Sequence, residues 1–154
     1  MRPYQILSLS FTLSMMVLLG ACSTPRSQAS GASQKPAAPL RNTRWVLRTL
    51  ADAPITTPEN SQEMYIQFEL ATNRLKGQAA CNGIFGQFVL TEPASLQLPN
   101  IGATRMSCDR IALETQFLQA LQQTTRFQIS GDTLRLYAGS GATAFATFEA
   151  VYLH

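Results

Sequence analysis

Histidine is almost missing from this chain: its single copy, His154, is the last residue. A serine or cysteine hydrolase needs a positioned base, and chain ends are usually too mobile to supply one. The three cysteines include no CxxC pair, so the spacing of a zinc knuckle or a dithiol redox motif is lacking. GxSxG, HExxH, the P-loop and the dinucleotide fingerprint are also absent. Charge is scarce, at 14% of residues. From Arg41 onward Arg41, Arg44, Arg48, Arg74, Lys76, Arg105, Arg110, Arg126 and Arg135 balance the acids, and the surplus cations are Arg2, Arg26 and Lys35. Nucleic-acid binding normally needs a clustered basic face, which this pattern does not offer. The acids are scattered, with Asp109 expected as a helix cap and Glu114 as a helix-surface or loop-tethering group, and no carboxylate pair is spaced for acid–base work. The expectation is a protein without catalytic residues, metal or cofactor.

No apolar run reaches the roughly 20 residues that a spanning helix requires. The run from Ile6 to Leu19 follows one charge at Arg2, is diluted by Ser8, Ser10, Thr12 and Ser14, and ends in Leu19-Gly20-Ala21-Cys22. That is the layout of a secretory signal. Leu19, Gly20, Ala21 and Cys22 resemble the bacterial lipobox, which implies a diacylglyceryl thioether on Cys22 and cleavage before it. Two or three acyl chains anchor a protein stably where one does not. Ser23, in place of Asp, favours the outer membrane, facing the periplasm, in a Gram-negative host. The division expected is therefore a signal over 1–21, the lipidated Cys22 with a Ser-, Ala-, Pro- and Gln-rich tether over 22–40, and one domain over 41–154.

Cys81 and Cys108 remain, an even pair in a chain expected to be exported. In an oxidising compartment such a pair reads as a disulfide, with two buried free thiols as the alternative.

Along the domain, Arg44 to Leu50 reads as a strand with Trp45, Leu47 and Thr49 on one side. Met64, Ile66, Phe68 and Leu70 alternate with Tyr65, Gln67 and Glu69, the period of a strand with one buried face. Arg74 to Ala79 should return antiparallel to Cys81-Asn82-Gly83, where Asn-Gly suits the positive φ of a tight turn. Strands are expected over Ile84 to Leu90 and around Leu96 and Leu98. A helix capped by Asp109 should turn Leu113, Phe117, Leu118 and Leu121 inward and Glu114, Gln116, Gln119 and Gln122 outward. A two-residue hairpin at Gly131-Asp132 and a last strand to Val151 complete the pattern. About seven strands and one helix without βαβ alternation give an α+β fold with a mainly antiparallel sheet, for which a partly open barrel is one arrangement.

In order, Trp45, the strand ending in Phe68, Arg74-Leu75-Lys76-Gly77, Cys81-Asn82-Gly83 with Gly86, Thr104-Arg105-Met106-Ser107-Cys108, Glu114 and Phe117 resemble the META domain. They are similar to the heat-shock lipoprotein HslJ group, over nearly all of residues 43–150. Ala80 stands where the family usually has Gly, and Ser107 where Ala is commoner. The resemblance implies an α+β domain of envelope lipoproteins associated with heat or antibiotic stress, with no established enzymatic activity.

Asn82, Gly83, Thr104, Arg105 and Met106 are the candidate binding surface, since a Cys81–Cys108 bridge would join their two segments. Against this, turn chemistry alone would select Asn82 and Gly83, Arg105 could pair a carboxylate, and Met106 could fill the core. The expected function is a non-catalytic envelope module, held to the membrane by Cys22, that binds an envelope protein or small ligand in stress tolerance. The alternatives are an outer-membrane protein chaperone or pilot with an apolar groove beside Phe117, and, more remotely, an envelope hydrolase.

Overall fold

In the computed structural model, which describes residues 36–152, the period-2 pattern of the sequence becomes strand pairing. The expected signal, Cys22, the tether up to residue 35, and His154 lie outside the described residues. The elements run β1 (Arg44–Leu50), β2 (Ala53–Pro54), β3 (Tyr65–Phe68), β4 (Arg74–Gln78), β5 (Gly83–Gln87), β6 (Gly102–Ala103), α1 (Ile111–Gln122), β7 (Arg126–Ser130), β8 (Thr133–Tyr137) and β9 (Ala146–Val151). No helix among the described residues is long and apolar enough to cross a membrane.

The strands make one nine-stranded sheet, β6-β5-β4-β3-β1-β9-β8-β7, with β2 paired to β1 off this path. Every ladder between named strands is antiparallel. Among the described residues β2 and β6 are the strands that were not expected, two residues each and too short to leave an alternation in the sequence. The sheet does not close, because β6 and β7 end the path without pairing. The chain after β5 spans that gap through isolated bridges alone, Val89 to Gln97 and Ser95 to Arg126. The strand expected around Leu96 and Leu98 is reduced to these bridges, although both leucines are buried.

Two expected core positions are corrected by strand ends and a bulge. The strand carrying Ile66 and Phe68 stops at Phe68, so Leu70 falls in the turn beyond it, 68% exposed. In β1, Leu47 pairs with Phe148 and Thr49 with Thr147, leaving Arg48 as the extra residue. A bulge of this kind reverses the facing of the residues beyond it. Leu50 therefore joins Trp45 and Leu47 in the core, where Thr49 was expected. Arg48 turns outward and donates to Glu149 Oε2 at 2.8 Å, which raises the guanidinium pKa despite partial desolvation.

The core is filled by aromatics. Trp45, Phe68, Phe88, Phe117 and Phe148 are fully buried; Phe68 meets Phe88 edge-on at 5.0 Å and Phe117 meets Phe148 at 6.2 Å. Such contacts add to the burial of apolar area, the main stabilising term. The packing begins before residue 41: Ala38 is buried and donates its N–H to the Gly131 carbonyl, and Trp45 Nε1 donates to the Leu40 carbonyl. Gly131, with φ of 57°, makes the expected two-residue hairpin between Ser130 and Thr133. Gly77 serves a different need, since a Cβ there would overlap the Tyr65 carbonyl oxygen on the neighbouring strand. Backbone cannot rotate away as a side chain can. Gly77→Ala should destabilise the domain by about 1–3 kcal/mol in thermal or urea unfolding, and an unchanged midpoint would contradict this reading.

Candidate functional site

The helix brings a carboxylate to where the two cysteine segments meet. At about 100° per residue, Glu114 lies close in angle to Phe117 and Leu121, so it shares their inward face. Glu114 is 3% exposed, which corrects the expectation that it points away with Gln116, Gln119 and Gln122. Its Oε2 accepts the backbone N–H of Cys81 at 3.1 Å and of Asn82 at 3.0 Å, and its Oε1 accepts Asn82 Nδ2 at 2.7 Å. Of the two expected roles, loop tethering is the one found.

Asn82 is 1% exposed and uses its whole amide. Besides Glu114, Nδ2 donates to the Met106 carbonyl at 3.1 Å, while Oδ1 accepts Thr104 Oγ1 at 2.8 Å and Met106 N–H at 2.7 Å. The positive φ expected at Asn82-Gly83 is not found, for neither residue is among the positive-φ positions. The β4–β5 link instead spans Ala79 to Asn82, closed by Ala79 N–H to the Asn82 carbonyl, and Gly83 already belongs to β5. Asn82 is thus needed for four side-chain hydrogen bonds, and turn conformation does not explain it.

Cys81 and Cys108 form a disulfide, with Cα atoms 6.2 Å apart. The bridge also alters the start of α1: the N-cap is Arg110, with no side-chain cap, and Arg110 N–H donates to Cys108 Sγ. Asp109, expected as the cap, sits one residue too early.

Beside this junction lies an open groove of about 510 Å³. Asn82, Thr104, Arg105 and Met106 line it, together with Ile111 and Glu114. Four of the five expected surface residues are therefore brought together. Gly83 does not line the groove; its carbonyl accepts Thr104 N–H at 3.0 Å. Met106 does not fill the core but is 65% exposed, and Ile111 is 49% exposed. Arg105 is exposed without an ion pair among the described residues. Ser107, Thr115 and Leu118, which sequence reasoning missed, complete the lining with Ala103. Ile111, Thr115 and Leu118 follow a three- to four-residue spacing, a signal for one helix flank. Ser107 gave no such signal.

The Phe117 ring itself is fully buried. A cavity of about 270 Å³ between α1 and the end of β1 is lined by Leu50, Ala51, Ala120 and Phe145 together with Gln116, Gln119 and Gln123. Among the described residues no three His, Cys, Asp or Glu side chains group as metal ligands.

An antiparallel open sheet carrying one helix, with a disulfide and a buried Asn–Glu pair locking the helix entry to the β4–β5 loop, defines a class of small, sheet-dominated α+β domains. Two solved structures share this fold. One is an NMR structure, 21% identical with a TM-score of 0.55, the match covering 71% of this chain and 89% of that one. The other is an NMR structure of a protein from Burkholderia xenovorans, 23% identical with a TM-score of 0.58, covering 83% and 97%. No curated protein matches the chain. The chain belongs to the META domain family, whose model matches residues 38–151.

Proposed function

We propose that the protein is a non-catalytic, lipid-tethered module of the cell envelope that binds an envelope protein or small ligand through the groove between residues 103–107 and α1, in support of stress tolerance. The observation that carries this reading is the groove itself. The chain fixes Met106 by its backbone N–H and carbonyl to buried Asn82, which leaves the side chain free and 65% exposed. A large apolar side chain held out on a fixed backbone suits recognition, because little backbone ordering entropy is lost on binding. Arg105 adds a cation beside it, and Thr104, Ser107 and Thr115 add hydroxyls. The non-catalytic reading is supported by Glu114, the carboxylate at the groove, whose oxygens already accept three N–H groups. Lipid tethering rests on the Leu19-Gly20-Ala21-Cys22 sequence.

A photo-crosslinking residue placed at Met106 in cells, with one at Gln122 on the exposed side of α1 as control, tests the proposal. The expected result is a discrete adduct from position 106 alone, lost with Arg105→Glu. That substitution should change unfolding free energy by no more than about 0.5 kcal/mol, as is usual at exposed sites. Equal adducts from both positions, or none from 106, would remove the groove from consideration.

A further inference from the structure

We propose that the outer face of β4 and β5 is a membrane-apposed surface that rests on anionic phospholipid. This deepens the lipid-tether reading and rests on it.

The face is defined by register. Lys76 on β4 pairs with Phe85 on β5, so the two side chains stand side by side, and Arg74 pairs with Gln87 on the same side. The alternate residue of β4, Leu75, is buried in the core, which sends Arg74 and Lys76 to the opposite, exposed side. Phe85 is 53% exposed. Part of its ring has a structural role, because a Cβ on cross-strand Gly102 would meet Phe85 Cε2 at 2.9 Å. Covering that glycine accounts for one face of the ring and leaves the other free. At the end of the β3–β4 hairpin Leu70 is 68% exposed, and Arg41 reaches the same turn through the Thr72 carbonyl and Asn73 Oδ1. The nearby acid, Glu69, accepts the Thr72 hydroxyl at 2.6 Å and is outnumbered by Arg74 and Lys76, while Arg41 lies over the ring of buried Phe88.

Exposed apolar side chains beside cations, on a domain that is formally neutral overall, fit an interface between acyl chains and anionic head groups. The aromatic ring lies at head-group depth and the cations gain from the surface potential. The anchor selects the occupant. The proposed anchor at Cys22 precedes buried Ala38 by a short stretch of chain, so the domain is held near the bilayer at high effective concentration. Contacts too weak to recruit a free protein then suffice to orient an anchored one.

The test couples the chain from Cys22 onward, through its free Cys22 thiol, to maleimide lipid in preformed vesicles. It therefore does not depend on whether Cys22 is acylated in cells, which the intact mass of the membrane-extracted protein reports separately. With Phe85→Trp as the probe, brominated acyl chains should quench position 85 in phosphatidylcholine vesicles containing phosphatidylglycerol, while fully buried Trp45 supplies an unquenched background. The bound fraction relative to the unbound should fall roughly fivefold for each cation lost, and further for Arg74→Glu with Lys76→Glu. No quenching in the anionic vesicles, or equal quenching on phosphatidylcholine alone or in the charge-reversed protein, would overturn the proposal.

Discussion

Glu114→Ala is expected to lower the unfolding free energy by about 3–5 kcal/mol, since it leaves three buried N–H groups, on Cys81, Asn82 and the Asn82 amide, without their acceptor. Each such orphan costs roughly 1–3 kcal/mol, and a domain this size has only about 5–15 kcal/mol in total. Urea unfolding monitored by Trp45 fluorescence checks the figure. Glu114→Gln separates packing from hydrogen bonding: its carbonyl can still accept from Cys81 and Asn82, but its amide then confronts Asn82 Nδ2, donor against donor. Flipping Asn82 to relieve that contact would break its bonds from Thr104 and Met106. Gln should therefore lose less than Ala and still be measurably less stable. A loss under about 1 kcal/mol for Ala would mean that water takes over the vacated positions, and Glu114 would then not lock the junction.

Breaking the Cys81–Cys108 bridge is the second large effect. The cysteines are 27 residues apart, and closing a loop of that length stabilises the folded state by about 3–4 kcal/mol in the chain-entropy model. Reductant, or the Cys81→Ala, Cys108→Ala pair, should lower the unfolding free energy by that amount while leaving a folded domain, because Asn82 and Glu114 still join the same segments. Both thiols should resist alkylation until reduced, as read by intact mass. The bridge and Glu114 share the Cys81 backbone, so their losses should not add, with a coupling above roughly 0.5 kcal/mol in a double-mutant cycle. Free alkylation of the native protein would sink the stapled-domain account.

The groove depends on this lock. Arg105 and Met106 lie between two fixed points, the Asn82 amide and the Cys108 bridge, so their side chains are presented on backbone that has little freedom to collapse inward. The same two devices that stabilise the domain hold the proposed recognition surface in shape. A Glu114→Ala chain is therefore the sterner test of binding, and Arg105→Glu the cleaner one.

Much of the architecture was legible locally. The alternation over Met64 to Phe68, the breaker at Gly131-Asp132 and the helical stripe of Phe117 and Leu121 each announce an element through period or turn chemistry alone. At two positions polarity is a poor guide to placement. Glu114 has the angular position of a core residue and a charged side chain; angle decided, because the chain offered it three donors. Asn82 fits turn chemistry by its neighbours, whereas its amide bonds to residues more than twenty positions away, and no local pattern registers such partners. Alternation alone would place Leu70 in the core, but the strand ends two residues earlier and leaves it exposed.

By itself, then, the sequence determined most of the elements, the antiparallel class of the sheet and the segments that matter, since periodicity, breakers and the cysteine motifs are properties of neighbouring residues. Only the tertiary structure decided that Glu114 turns inward, that Arg48 bulges so that Leu50 enters the core, that the sheet stays open between β6 and β7, and that Met106 stands out over a groove. Those outcomes depend on which distant donors, acceptors and strand edges come within a few ångströms of each other, and that is fixed by the assembled core rather than by any stretch of chain.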